Sequence, residues 1–250
     1  MGVLPADPAV LALFVLGATV IGFSKTALGG LGVVSVAIFA SVLPARQSTA
    51  AILMVLVVGD LIACWHYRRD ADWALVRRLL PAVLPGLVLG TLFLRVVDDD
   101  TLRRSIGGVL LVLLALQLWV KTRSRPDDDA PAPSRTRAWG AGSAMGFATM
   151  TANAAGPVMT LYLSASGIDK RRFVGTSAWF FLIVNLVKVP FSVGLGLLHP
   201  DDVVRAGLLA PAVLVGAVVG YATVTRISQR TFDVAVLLAS AVAAAALLLG

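Results

Sequence analysis

Long apolar runs limit what this chain can fold into. A helix needs about 20 predominantly apolar residues to cross a bilayer. The chain is 58% hydrophobic and only 14% charged, whereas soluble domains carry about 25% charged residues. A chain this apolar cannot cover a water-facing surface, so the composition predicts an all-α membrane protein. The predicted spans are 46–67, 73–96, 102–120, 172–197, 203–224 and 232–249.

Two further apolar regions are interrupted at their centres. Residues 9–42 contain the segment GFSKTALGGLG at 22–32, and residues 139–165 contain GFATMTANAAGP at 146–157. Each half is predicted to be about 12–14 residues long, the length of a re-entrant or half-helix segment. A break at membrane depth is tolerated only against protein or a water-filled cavity. Close helix packing through glycine is the alternative interpretation.

The chain also repeats itself. The segment PAVLPGLVLG at 81–90 matches PAVLVGAVVG at 211–220 at seven of ten positions, and GF at 22–23 recurs at 146–147. We expect two homologous repeats, each made of a broken element followed by three transmembrane helices. The predicted parts are an N-terminal transmembrane repeat at 1–121, a polar cytoplasmic linker at 122–138 and a C-terminal transmembrane repeat at 139–250.

Loop charge predicts the topology. If each broken element enters and leaves on the same side, each repeat crosses the membrane three times and the second copy is inverted. The loops then predicted to be cytoplasmic carry fourteen Lys and Arg residues, and the opposite side carries five. Because basic residues are in excess in cytoplasmic loops, this bias favours the inverted arrangement. The competing arrangement makes each broken element one or two true crossings.

Polar residues and glycines at the two breaks are the candidate substrate-binding groups. Glycine lets the backbone approach a ligand closely, and the exposed N–H groups at a helix start attract anions. Lys25 adds a full positive charge, although it could instead extend to an interface. The predicted binding residues are Ser24, Lys25, Thr26, Gly29, Gly30, Thr149, Thr151 and Asn153.

Two ionisable residues fall inside predicted spans. Asp60 and Lys188 are functional candidates because a charge inside the membrane is costly. Asn185 aligns with Asp60 in the second repeat and precedes Lys188 by three residues, on the same helix face. We expect Asp60 to carry a proton or to pair with a lysine. The alternatives are a shallow, solvated Asp60 and a Lys188 that extends outward.

Other function classes find little support in the sequence. The net charge of +7 is the basic excess expected of a membrane protein, with no nucleic-acid-binding face. The single cysteine, Cys64, cannot form an internal disulfide or a metal site alone. No catalytic set can be assembled from the spacing. We therefore expect no enzyme activity, no cofactor and no metal, and the absence of an ATPase motif leaves protons or the membrane potential as the energy source.

The break GFSKTALGGLG, the P-A-V-L-x-G-x-x-x-G spans and the duplication resemble the sulfite exporter TauE/SafE family over nearly the whole chain, from about residue 9 to 249. The resemblance implies a multi-pass transporter in the bacterial inner membrane. It also implies small anionic substrates that often contain sulfur, such as sulfite, sulfoacetate and related organosulfonates. Some relatives are assigned to carboxylates, so the exact anion does not transfer.

We therefore predict a secondary transporter that works by alternating access, and the resemblance implies that it exports small sulfur-containing anions. The partners predicted are the anion, the lipid bilayer and protons as the coupling ion. A passive anion channel with the same donors is the alternative, as is a carrier of another organic anion. The direction of transport, the coupling ion and the oligomeric state, including a homo-oligomer, stay open.

Overall fold

A computed structural model describes residues 3–27, 31–123, 135–164 and 166–224. Within those ranges the secondary structure is entirely helical, and nine α-helices follow one another along the chain. Their bounds are α1 Pro8–Thr26, α2 Gly32–Val42, α3 Ala45–His66, α4 Trp73–Val96, α5 Asp99–Arg123, α6 Arg135–Ala152, α7 Gly156–Ser164, α8 Lys170–Gly194 and α9 Pro200–Val224.

These helices agree closely with the predicted spans. α4 begins and ends at the predicted residues, and the bounds of α3, α5, α8 and α9 differ from the predicted ones by no more than three residues. Among the described residues, five helices are long and apolar enough to cross a membrane: α1, α3, α4, α8 and α9. The last predicted span, 232–249, lies outside the described residues. α6 begins at Arg135, so its first turn takes up the end of the predicted linker 122–138.

Within each broken element, the two half-helices are unequal in length, whereas equal halves were predicted. In place of halves of 12–14 residues, α1 and α6 have 19 and 18 residues, whereas α2 and α7 have 11 and 9. The first break falls between Thr26 and Gly32. The second contains Asn153, whose φ of 50° is left-handed. Asparagine tolerates this conformation better than most residues, and the positive φ ends α6 there.

α2 turns back along α1. The rings of Phe14 and Phe39 lie 5.0 Å apart, and the Ser35 hydroxyl donates to the Gly17 carbonyl at 2.9 Å. Nearer the break, the Gly32 N–H donates to Ser24 Oγ at 2.9 Å. As the residue number rises along α2, its contacts move back towards the start of α1. The two helices are therefore antiparallel. The chain therefore leaves the break towards the end of the bundle at which α1 began.

Glycines allow two pairs of helices to cross at very short distance. A Cβ on Gly22 of α1 would lie 1.9 Å from the Val213 carbonyl oxygen of α9. A Cβ on Gly146 of α6 would similarly lie 2.2 Å from the Val83 carbonyl oxygen of α4. Small residues permit this approach of backbones, which supplies the packing that holds membrane helices together.

α3 and α8 form the interior of the bundle. In the most apolar 18-residue stretch of each helix, 72% of the α3 residues and 56% of the α8 residues are buried, compared with 39% for α4 and 33% for α9. α4 and α9 expose large apolar side chains, including Leu89 and Val218, as expected of helices that face lipid. The polar groups in the middle of α3 and α8, Asp60, Asn185 and Lys188, are therefore shielded from the surroundings of the protein.

The glycine crossings can be tested with Gly22→Ala. The added methyl group cannot be accommodated beside the Val213 carbonyl, so we expect a loss of roughly 1–3 kcal/mol of stability from overpacking. The measurement is the thermal unfolding temperature of the purified protein in detergent.

Gly207→Ala in α9 is the matched control. A Cβ there meets nothing within 4 Å, and alanine favours a helix over glycine by about 1 kcal/mol. We expect unchanged or higher stability for this variant. Equal behaviour of the two variants would contradict the packing assigned to Gly22.

Candidate functional site

A buried ion pair joins α1 to α3. Lys25 Nζ lies 2.6 Å from Asp60 Oδ1, and the side chains are 13% and 0% exposed. Lys25 reaches Asp60 by passing over Gly59, where a Cβ would lie 3.2 Å from Lys25 Cγ. The ammonium also lies 4.7 Å from the centre of the Phe181 ring of α8, a distance at which a cation is attracted to an aromatic face.

Asn185 extends this pair to α8. Its Nδ2 donates to Asp60 Oδ2 at 2.7 Å. Because an ionised carboxylate only accepts hydrogen bonds, the amide nitrogen must face Asp60 and the amide oxygen must face away. That oxygen is buried, and it has no partner among the described residues. The group Lys25, Asp60 and Asn185 thus ties α1, α3 and α8 together.

Lys188 forms a second buried polar group one turn further along α8. Its Nζ donates to the Thr149 carbonyl at 2.7 Å, to Thr149 Oγ1 at 3.2 Å and to Asn153 Oδ1 at 2.5 Å. An ammonium has three N–H donors, so these three oxygens satisfy it. Lys188 is only 1% exposed. Asn153 also donates to the Thr49 carbonyl of α3 at 3.1 Å, which fixes the second break against the interior.

Both helix breaks open onto one cavity. Its volume is about 60 Å³, enough for a few water molecules or one small anion. Ser24, Lys25 and Gly32 line it from the first break, and Thr149, Asn153 and Gly156 line it from the second. α8 contributes a further wall with Ser177, Phe181 and Asn185.

The predicted site residues fall into four groups. Ser24, Lys25, Thr149, Asn153 and Asn185 line the cavity, and Asp60 and Lys188 hold lining residues through the contacts above. Thr26 and Thr151 point elsewhere: Thr26 Oγ1 donates to the Ala217 carbonyl at 2.8 Å and Thr151 Oγ1 to the Phe147 carbonyl at 2.8 Å. Gly29 and Gly30 lie outside the described residues.

Ser177 and Phe181 are lining residues that the sequence prediction missed. Ser177 Oγ is buried and has no partner within the described parts of the chain, so its hydroxyl is available to a ligand. A signal was present in the spacing. Residues 177, 181, 185 and 188 follow one another at helical intervals of four, four and three and therefore share one face of α8.

The structure defines a multi-pass membrane protein with a charged cavity at two helix breaks. The family model described as "Sulfite exporter TauE/SafE" matches residues 14–247, and the chain belongs to that family of membrane transporters. The resemblance predicted from the sequence is thereby confirmed. Comparisons with curated proteins and with solved structures gave no match.

The ion pair can be tested by a double-mutant cycle on Lys25→Gln and Asp60→Asn. Each single change leaves a buried polar partner behind, and breaking a buried pair typically costs about 3–5 kcal/mol. The double variant should lose less than the sum of the two, with a coupling of roughly 0.5–3 kcal/mol. Chemical or thermal unfolding in detergent measures all four proteins.

The control cycle uses Arg171→Gln and Asp70→Asn. This pair has a comparable contact of 3.1 Å, but the Arg171 side chain is 67% exposed. Because water and salt screen exposed pairs, we expect little or no coupling there. Additive effects in the Lys25–Asp60 cycle would show that the buried pair contributes nothing to the fold.

Proposed function

We propose that this protein is a secondary transporter that exports small sulfur-containing anions, such as sulfite or organosulfonates. The observation that carries the proposal is the cavity onto which both helix breaks open, with Lys25 in its wall. Matching breaks at membrane depth are the strongest sequence indication of a transport site. The TauE/SafE family match supports the class of substrate.

The charges around the cavity favour an anion. With both lysines protonated, the buried residues near the cavity include two ammonium groups, of Lys25 and Lys188, and one carboxylate, Asp60, which pairs with Lys25 and leaves one positive charge uncompensated. Every partner of Lys188 Nζ among the described residues is a neutral oxygen. A bound anion would neutralise this charge in surroundings where unpaired charge is costly.

We assign the binding roles as follows. Lys25 supplies the charge, while the hydroxyls of Ser24 and Ser177 donate to the anion. The backbone near Gly29 and Gly30 is proposed to add N–H donors. Thr149 and Asn153 act from the second break, where Lys188 holds them; Thr26 and Thr151 stabilise the helix ends.

Alternating access would come from movement of one repeat against the other. We propose that residues 1–121 and 139–250 are inverted repeats. One pair of equivalent contacts supports this: Gly22 and Gly146 each meet a carbonyl of the other half, at Val213 and Val83 respectively. In each pair, α1 with α9 and α6 with α4, a Gly-Phe dipeptide of the broken element faces a P-A-V-L-x-G segment. The cavity lies between the two broken elements.

The hydrogen bond between Asp60 and Asn185 is further support for that symmetry. These two residues align in the repeats and touch each other where α3 and α8 meet, as equivalent residues do on a two-fold axis. We place the protein in the bacterial inner membrane with its most basic loops in the cytoplasm, on the charge bias of the loops. The site as described lies within one copy of the chain, whether or not it forms a homo-oligomer.

Sulfite counterflow in proteoliposomes tests the proposal. The wild type should exchange radiolabelled sulfite saturably. The double variant Lys25→Gln/Asp60→Asn removes the ammonium from the cavity without leaving an unpaired carboxylate, and it should lose at least about tenfold in exchange rate, equivalent to about 1.4 kcal/mol of activation free energy.

The matched control removes another ion pair, Arg205→Gln/Asp202→Asn, at the start of α9. Arg205 Nη1 and Asp202 Oδ1 are in contact, and neither residue lines the cavity. Exchange should persist in this variant. Conduction without saturation or counterflow would instead indicate a channel, and exchange of carboxylates in place of sulfite would indicate another substrate.

Proton coupling gives a separate prediction for Asp60→Asn. We propose that Asp60 carries the coupling proton, because it is the carboxylate next to the Lys25 ammonium and is fully buried. The variant keeps that ammonium and should still exchange sulfite at equal pH on both sides. It should no longer accumulate sulfite when a pH gradient is applied across the proteoliposome. Unchanged accumulation would exclude Asp60 as the proton carrier.

A further inference from the structure

A second cavity lies at the end of α3, separate from the transport cavity. It has a volume of about 250 Å³. Its lining includes three guanidinium groups and one carboxylate. We call it the arginine pocket, and its lining residues are Trp65, His66, Arg68, Arg69, Asp70 and Arg171.

The arginine pocket is bordered by a side chain typical of the membrane–water interface. Trp65 is 75% exposed near the end of α3, and tryptophan is enriched at the membrane–water interface. Arg68 lies over the Trp65 ring, 5.3 Å from its centre. Trp73, at the start of α4, lies 5.2 Å from Trp179 of α8 near the same end.

The charges of the pocket are only partly compensated. Asp70 accepts from Arg171 Nε at 3.1 Å. Among the described residues, no carboxylate lies within ion-pair distance of Arg68 or Arg69. Guanidinium groups bind phosphate through paired N–H donors and are less strongly hydrated than ammonium groups. Two uncompensated guanidiniums beside an interfacial tryptophan therefore suit a phosphate that belongs to a lipid.

We propose that the arginine pocket binds the phosphate of an anionic phospholipid headgroup. The ligand would connect the α3–α4 loop, through Arg68 and Arg69, to the start of α8, through Arg171. His66 next to it packs against the Tyr221 ring of α9 at 4.2 Å. A bound headgroup thus stabilises the contact between three segments that are distant in sequence.

The test compares thermal unfolding in nanodiscs of phosphatidylcholine with unfolding in nanodiscs that contain equal amounts of phosphatidylcholine and phosphatidylglycerol. Because a ligand that binds only the folded state raises the unfolding temperature, we expect phosphatidylglycerol to raise Tm by about 3 °C or more. Arg68→Gln/Arg69→Gln should abolish this rise. Arg77→Gln/Arg78→Gln, which removes the same charge from the first turns of α4 outside the pocket, should retain it.

Three outcomes would overturn the proposal. The first is an equal loss of the rise in both double variants, which would mean a general response to positive charge. The second is an equal rise with inorganic phosphate alone, which would make the pocket a site for soluble anions. The third is the absence of any rise in the wild type. Native mass spectrometry provides an independent measurement, and should show phosphatidylglycerol retained by the wild type and lost from Arg68→Gln/Arg69→Gln.

Discussion

Lys25 and Asp60 meet at 2.6 Å inside an apolar helical bundle. Removing each ion from water costs several kcal/mol, which only close geometry and further hydrogen bonds offset. Asn185 supplies one such bond to the carboxylate, and the Phe181 ring supplies a favourable face to the ammonium. The pair therefore requires α1, α3 and α8 to stay together. The ion pair also determines where an anion could bind, because it holds the Lys25 ammonium in the wall of the cavity.

The cavity depends on two further constraints, the helix breaks and the glycine crossings. The left-handed Asn153 ends α6 and turns its side chain towards Lys188. Gly22 and Gly146 let α1 and α6 lie against the backbones of α9 and α4, so that each broken element is held by a helix of the other half. Helices held this closely move as units more readily than they deform. Because these contacts join the two halves, the proposed movement of one repeat against the other would have to slide or separate them.

Much of the fold could be predicted from hydropathy alone, because each helix needs a continuous apolar run and α4 matches its run at both ends. The candidate site was only partly predictable. Lys25, Asp60 and Lys188 stood out as charges in apolar surroundings, but their partners depend on contacts between residues far apart in sequence. Ser177 was missed although its spacing places it on the same face of α8 as Asn185 and Lys188, because spacing alone does not show that this face lines a cavity. The uneven lengths of the half-helices were also missed, since the position of a break within a polar, glycine-containing segment depends on tertiary packing.

The central claim is that a small anion binds beside Lys25, in the cavity between the two breaks. Selenite is a heavier analogue of sulfite, and its selenium atom can be located directly by anomalous diffraction from crystals soaked with it. The account predicts a selenium peak within hydrogen-bonding reach of Lys25 Nζ and Ser177 Oγ. A peak confined to the arginine pocket around Arg68 and Arg69, with the transport cavity free of selenium, would contradict it.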